Sequence, residues 1–540
     1  MPSVHTLPLV ASLLALLAAP GLAQRKVELD KEYKDKSWGY QIRTIKDWNS
    51  MPPDQEDRLT VGRWKMSLDE LEKRGDYQAA RAGAYCELKV VRVVVKVETP
   101  RDASGDKAKP ATPEKPEKPD QLEELRRRLG AGPDASNAKN IDEWINSTFP
   151  EADKRWIRTP MKGARMPGEL IEFGKDASNV TIGVFKGSGV EWAVVYTSFE
   201  ENYRKTWRDI YLKSLQSFSA TGNANANVAD ASRTDPNKLE GEEKRAALKA
   251  SVAGKPGWFT VDTKYYVFIS NADRGFVEKL ARELEIVRDK VYVPNFKPRN
   301  TKQPLNPVRI FATQSEYHQF GGPGSSAGYF SPGTGELVLF QKFDDMSATK
   351  SKDDCRSVMF HEGFHQYVHF AIGDVSPHSW FNEGHGDYFA GLTIAGNTVG
   401  KAQVFDWRVD HLKQHMQQGK DLIPLRSLLR YEQREYYNNA GLKYSQGWAL
   451  IYYLREVTKD KALRQALDTY FNYLADNVTA FRATKKEGEE DKPTDPRLRM
   501  IDFEDATKVK EILSQAVDKA FAGINLEEVD KSFREWVKSL

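Results

Sequence analysis

His361-Glu362-Gly363-Phe364-His365, followed 18 positions later by Glu383, constrains this chain more than any other stretch. Two histidines four residues apart share one face of an α-helix, so both imidazoles can reach one metal ion. Glu362 lies about 100° around that helix, close enough to touch a metal-bound water without being a ligand. Val358, Met359, Phe360, Phe364 and Val368 give the segment the apolar periodicity of a buried helix. A second helix opens at Ser379, a residue suited to the N-cap, and carries Glu383 and Asp387 four apart on one face. Gly384 and Gly386 inside it each cost about 1 kcal/mol relative to alanine and would permit close helix approach. The plain alternative is a buried helix whose histidines only pack.

The chemistry expected of this set follows from charge. His361, His365 and Glu383 would bind one Zn²⁺ per chain, leaving it a net charge of about +1 and one open position for water. The metal lowers that water's pKa toward ~7. Glu362 would accept the proton and later pass it to a leaving amine. Asp387 is the expected partner for the far ring N–H of a ligand histidine, most naturally His361.

At 540 residues the chain is too long for one ordinary core, and two or more domains are expected. Its net charge of +3 gives no reason to expect nucleic acid or an anionic membrane as the main partner. Leu7 to Ala19 is an apolar run, and Gly21-Leu22-Ala23 has small residues where a cleavable export signal needs them, although no Lys or Arg precedes the run. Residues 1–23 therefore read as a signal peptide, with no membrane span left after cleavage and a periplasmic or extracellular destination. Cys86 and Cys355, the only cysteines, make neither a disulfide scaffold nor a zinc ribbon. Pairing of the two, or two lone buried thiols, both remain open.

Residues 30–220 read as an α+β domain rich in strands, with β signals at Tyr40–Arg43, Tyr85–Val97, Glu169–Phe173 and Val180–Ser198 and a closing helix near Glu200–Phe218. A Lys/Glu/Pro-rich stretch at about 100–122 reads as a disordered insertion within it. Residues 221–255 read as a linker. From 256 to 540 the pattern is strand, helix, strand, hairpin, metal-bearing helix and then mostly helix, with a polar loop at Ala483–Asp495. The hairpin arms are Tyr329-Phe330 and Leu337–Phe340.

His361-Glu362-x-x-His365 with Trp380-Phe381-Asn382-Glu383-Gly384 and Asp387 resembles the gluzincin zinc metallopeptidases, in particular the peptidase-MA-like bacterial group, over residues 256–470. The resemblance implies a zincin-like fold: a small mixed sheet plus active-site helix, with helices following. It also implies an edge strand above that helix to bind extended peptide, for which Leu337–Phe340 is the position-matched segment, and a later Tyr or His as donor to the reaction's oxyanion. Tyr444 looks like that donor, with Tyr436 and Tyr437 as alternatives. No Gly-Ala-Met-Glu-Asn-like string precedes the helix, which favours an endopeptidase over an aminopeptidase.

Other histidines are expected to stay off the metal. His385 points about 200° from Glu383 and reads as structural or rim-exposed. His369 lies two turns, about 12 Å, from His361 and reads as surface or near the metal without binding it. His411 and His415 read as a solvated helix face. Asn146, Asn179 and Asn477 head glycosylation acceptor triplets. The expected function is an exported zinc peptidase acting on peptide or protein. The alternatives are a silent zincin-scaffold binding protein and a zinc amidase acting on a cell-wall amide.

Overall fold

The computed structural model of the chain describes residues 27–52, 59–66, 86–95, 135, 138–149, 157–173, 179–187, 189–198, 201–221, 239–299, 304–323, 326–343, 353–438, 440–488 and 503–540. The expected signal at 1–23, the insertion at 100–122 and residues 489–495 of the expected polar loop lie outside them. Among the described residues no helix is long and apolar enough to cross a membrane. The fold is mixed α+β.

The N-terminal half contains β1 (Leu29–Asp35), β2 (Tyr40–Ile45), β3 (Trp48–Met51), β4 (Thr60–Met66), β5 (Glu87–Val94), α1 (Ile141–Thr148), β6 (Arg158–Pro160), β7 (Glu169–Phe173), β8 (Asn179–Gly187), β9 (Val190–Ser198), α2 (Glu201–Gln216) and β10 (Ser219–Ala220). Seven strands form an antiparallel sheet in the order β3-β4-β5-β9-β8-β7-β6, and β1-β2-β10 form a second, smaller one. Side chains alternate along a strand, so each strand feeds two faces. Along β9, Ala193 and Val195 enter one core and Val194 and Tyr196 the other. Trp207, Tyr211 and Leu215 of α2 cover one face, and Ile141, Trp144 and Ile145 of α1 the other. Burial on both faces explains why β5, β8 and β9 read as dense β-branched runs.

The second half opens with α3 (Gly241–Ala250), β11 (Phe259–Asp262), β12 (Tyr266–Ser270), α4 (Arg274–Val287), β13 (Asn306–Thr313), α5 (Gln314–Phe320), β14 (Gly328–Ser331) and β15 (Glu336–Lys342). Its sheet has the order β11-β12-β13-β15-β14. β12, β13 and β15 are parallel, and the outer strands β11 and β14 run antiparallel to their neighbours. The hairpin of β14 and β15 is therefore present, but Leu337–Phe340 is not the edge. Residues of β15 bond β13 on one side and β14 on the other, so β14 is the edge strand.

The described part of the expected linker contains the helix α3 and is packed. Leu248, Val252 and Trp258 share a core with Met51 of the N-terminal half and Val267, Ile269 and Phe311 from the back of the sheet. The reason is geometric: a sheet with two apolar faces needs a cover on each. Buried hydrogen bonds join the halves as well. Gln319, fully buried, receives Asn49 Nδ2 at 3.1 Å and donates to the Met66 carbonyl at 3.0 Å.

The front of the sheet carries α6 (Asp353–Ile372), followed by α7 (Ser379–Ala390), the short hairpin β16 (Ile394–Ala395) and β17 (Thr398–Val399), α8 (Asp406–Gln417), α9 (Leu425–Leu428), α10 (Gln433–Tyr437), α11 (Ala440–Tyr452), α12 (Lys461–Gly488), α13 (Phe503–Ala520) and α14 (Leu526–Ser539). Residues 483–488, expected as loop, continue α12. Met359, Phe360, Phe364 and Val368 of α6 are fully buried in the main core with Leu337 and Leu339. Each such side chain contributes about 1.5–3 kcal/mol by leaving water. The C-terminus of α6 is closed by Gly373 at φ 103°, with Asp374 N–H bonded back to the His369 carbonyl at 2.9 Å. Cys86 and Cys355 are buried in different cores and are not joined to each other.

Candidate metal centre

Two consecutive helices build the site. α6 presents His361, Glu362 and His365, and α7 presents Asn382, Glu383 and Asp387. His378, rather than Ser379, occupies the cap position of α7, and its side chain makes no capping bond. Packing fixes α7 in place of a cap. A Cβ on Gly384 would sit 2.6 Å from the Gly447 carbonyl oxygen, and one on Gly386 would sit 2.9 Å from the His361 ring. These two glycines let α7 approach α11 on one side and the imidazole on the other. Gly328 does the same for β14, since a Cβ there would lie 2.6 Å from Val358 of α6.

The two imidazoles converge on one oxygen. Glu383 Oε2 lies 3.1 Å from His361 Nε2 and 3.3 Å from His365 Nε2. The other ring nitrogens are engaged elsewhere: His361 Nδ1 with Asp387 Oδ1 at 3.1 Å, and His365 Nδ1 with Asn382 Oδ1 at 2.9 Å. Both partners are acceptors, so each Nδ1 carries a hydrogen and each Nε2 is turned toward the Glu383 carboxylate. Three electron-rich atoms so close together require positive charge among them. In the protein alone, protons supply it. Burial pulls the His361 pKa down, but the Asp387 and Glu383 carboxylates more than offset this and hold it well above the usual imidazole range. Burial alone would raise Glu383, yet His365 and His361 hold it well below the usual carboxylate range.

The same arrangement fits a metal. Tetrahedral zinc with bonds of about 2.0–2.1 Å places its ligand atoms about 3.3 Å apart. Ligand atoms of His361, Glu362 and His365 also lie within 4.8 Å of one another, so two carboxylates compete for the third place. Geometry favours Glu383, whose single oxygen sits at ligand spacing from both rings. Glu362 is held apart from that role, its Oε2 accepting the Phe330 backbone N–H of β14 at 3.1 Å.

The structure thus brings together His361, Glu362, His365, Glu383 and Asp387. It also adds Asn382 and Arg408, which the sequence leaves without a role, and gives Tyr437, one of the alternatives to Tyr444, a contact of its own. Tyr437 donates its hydroxyl to Glu383 Oε1, leaving Oε2 to face the rings. Tyr444 lies beside it, ring centroids 6.1 Å apart, and Tyr436 is fully buried with its hydroxyl on the Lys443 carbonyl. Burial first, and then the negative charge of Glu383, push the Tyr437 and Tyr444 hydroxyls far up, so both remain protonated donors. Arg408 pairs with Asp387 Oδ2 at 2.6 Å. Asn382 could have been read from its place one residue before Glu383. Arg408 comes from a different helix and has no local signal.

The remaining histidines stay apart from the cluster. His385 is structural and fully buried, not at a rim: its Nδ1 bonds the Phe381 carbonyl at 2.9 Å and its Nε2 faces Arg455. His369 is buried rather than at the surface, its ring 5.3 Å from Phe330. His411 Nδ1 meets Ser445 Oγ at 2.9 Å, and His415 Nε2 meets the Asp421 carbonyl at 3.0 Å.

One consequence is direct. Gly386→Ala should destabilise the protein by about 1–3 kcal/mol, because the new methyl drives into the His361 ring. Urea unfolding measures it, and an unchanged midpoint would mean the ring can move aside without loss.

No protein-family model matches the chain, and no curated protein matches it. Among solved structures, the solution structure of cyanobacterial PsbP (CyanoP) from Synechocystis sp. PCC 6803 is 11% identical, with 38% of this chain covering 98% of that one, at a TM-score of 0.19. At that score the likeness carries no argument about fold or function.

Proposed function

We propose that this chain is an exported zinc-dependent peptidase of the gluzincin type, acting as an endopeptidase with Glu362 as general base. The observation that carries the reading is the convergence of His361 Nε2 and His365 Nε2 on one Glu383 oxygen, with both Nδ1 hydrogens donated elsewhere. His361, His365 and Glu383 would hold the zinc, which when bound supplies a Lewis acid that makes water nucleophilic near neutral pH. Glu362, oriented by the Phe330 N–H, takes the proton of the attacking water and returns it to the leaving amine. Tyr444 is the protonated donor we assign to the oxyanion, since the single hydroxyl hydrogen of its neighbour Tyr437 is given to Glu383 Oε1. β14 is an edge strand next to Glu362, a position from which an extended peptide can add as a further strand. Export rests on the apolar run Leu7–Ala19 and the small residues after it.

The test is amino-group release from casein by the zinc-loaded protein, stopped by a chelator and restored by added zinc. Casein left intact would remove the peptidase reading. Cleavage of peptidoglycan fragments under the same conditions would point to the amidase instead.

A further inference from the structure

Asp387 is a buried carboxylate bonded through Oδ1 to the far nitrogen of His361. A buried charge of this kind needs a counter-charge, or it destabilises whatever holds it. Arg408 of α8 provides one, NH2 to Oδ2 at 2.6 Å, with side-chain exposures of 9% and 6% for the pair. The guanidinium is itself fixed by aromatic faces. Its carbon lies 3.6 Å from the centre of the Trp407 ring and 5.1 Å from that of Tyr444. Trp407 is 57% exposed, so it forms an outer cover over an ion pair that would otherwise meet water. The contacts run in sequence from Trp407 through Arg408 and Asp387 to His361.

We propose that Arg408 is a positioning residue for the metal: it orients the charged Asp387, which fixes the tautomer and ring angle of His361 and so sets zinc affinity. The inference rests on the zinc reading of the site and adds a residue from outside its two helices. Arginine suits the task because its planar guanidinium can stack on Trp407 while its charge lies against the carboxylate. Outer partners of metal ligands are commonly worth about 10- to 100-fold in metal affinity.

The experiment is zinc competition with a chromogenic chelator on the full chain, comparing Arg408→Leu, Arg408→Lys, Asp387→Asn and the double variant Arg408→Leu/Asp387→Asn. Arg408→Leu should weaken zinc about 10- to 100-fold, and Arg408→Lys should recover part of that loss. In the Asp387→Asn background, Arg408→Leu should cost less than threefold more, because its route to the metal is already cut. If Arg408→Leu does not fold, Arg408→Gln replaces it in both backgrounds. Zinc affinity within twofold of wild type in the single variant, or equal losses in both backgrounds, overturns the role of Arg408 alone. Wild-type protein that binds no zinc overturns the underlying metal reading as well.

Discussion

Glu383→Gln and Glu362→Gln should fail in different ways. Glu383→Gln is expected to weaken zinc binding by more than about 100-fold, since it removes the only anionic ligand, and outer partners alone reach that figure. Glu362→Gln should hold zinc within a few-fold of wild type while casein cleavage falls by about 10²- to 10⁴-fold, the usual worth of a general base. The structural reason is the different engagement of the two carboxylates. Glu383 Oε2 lies at ligand spacing from both imidazoles, whereas Glu362 is tethered to the backbone of the edge strand. Equilibrium dialysis with metal analysis reads the first quantity and amino-group release the second. The reverse pattern, with zinc lost in Glu362→Gln and kept in Glu383→Gln, would make Glu362 the ligand and leave the proposed reaction without its base.

The parts of this site legible in the sequence are those that helical geometry places by itself. Four-residue spacing puts His361 beside His365 and Glu383 beside Asp387, and the two glycines of α7 announce a close approach. What could not be read comes from elements whose relative position depends on the whole fold. Arg408 reaches Asp387 from α8, and Tyr437 reaches Glu383 from α10, across packing that no local pattern encodes. The choice between Tyr437 and Tyr444 is of this kind, since a tyrosine stands on either side of the turn into α11. The edge strand was misplaced for a similar reason. Leu337–Phe340 has the stronger apolar run because it is interior, and the true edge, Gly328–Ser331, is short and half polar. His369, two turns from His361, is buried rather than at the surface because α6 is packed by the sheet on one side and by helices on the other.

Acid should destabilise this protein between pH 6.5 and 4, with buried histidines carrying the upper part of that range. Burial pushes the His369 pKa down to about 4, with Asp374 opposing and Arg482 assisting. Burial, and then Arg430, push His378 down to about 4 as well, and Tyr470 engages its ring through a 2.8 Å hydrogen bond. Burial and Arg455 hold His385 well below the usual range. In the unfolded chain all three return to about 6.5, so unfolding takes up protons anywhere between the two values. The sign follows: their contribution is complete above pH 6.5 and is lost as pH falls toward 4. A displacement from 6.5 to about 4 is worth about 3 kcal/mol for each of His369 and His378, against a total stability of about 5–15 kcal/mol for a typical domain. His361 runs the other way, because its raised value favours the folded state in acid and is lost only as pH rises. Three buried histidines act in the first direction and one in the second. Urea midpoints between pH 7.5 and 4 should therefore fall, and His369→Gln, which cannot take up a proton, should flatten the slope. A midpoint that stays level down to pH 4.5 would mean these imidazoles are charged, or hydrated, where the packing has them neutral and dry.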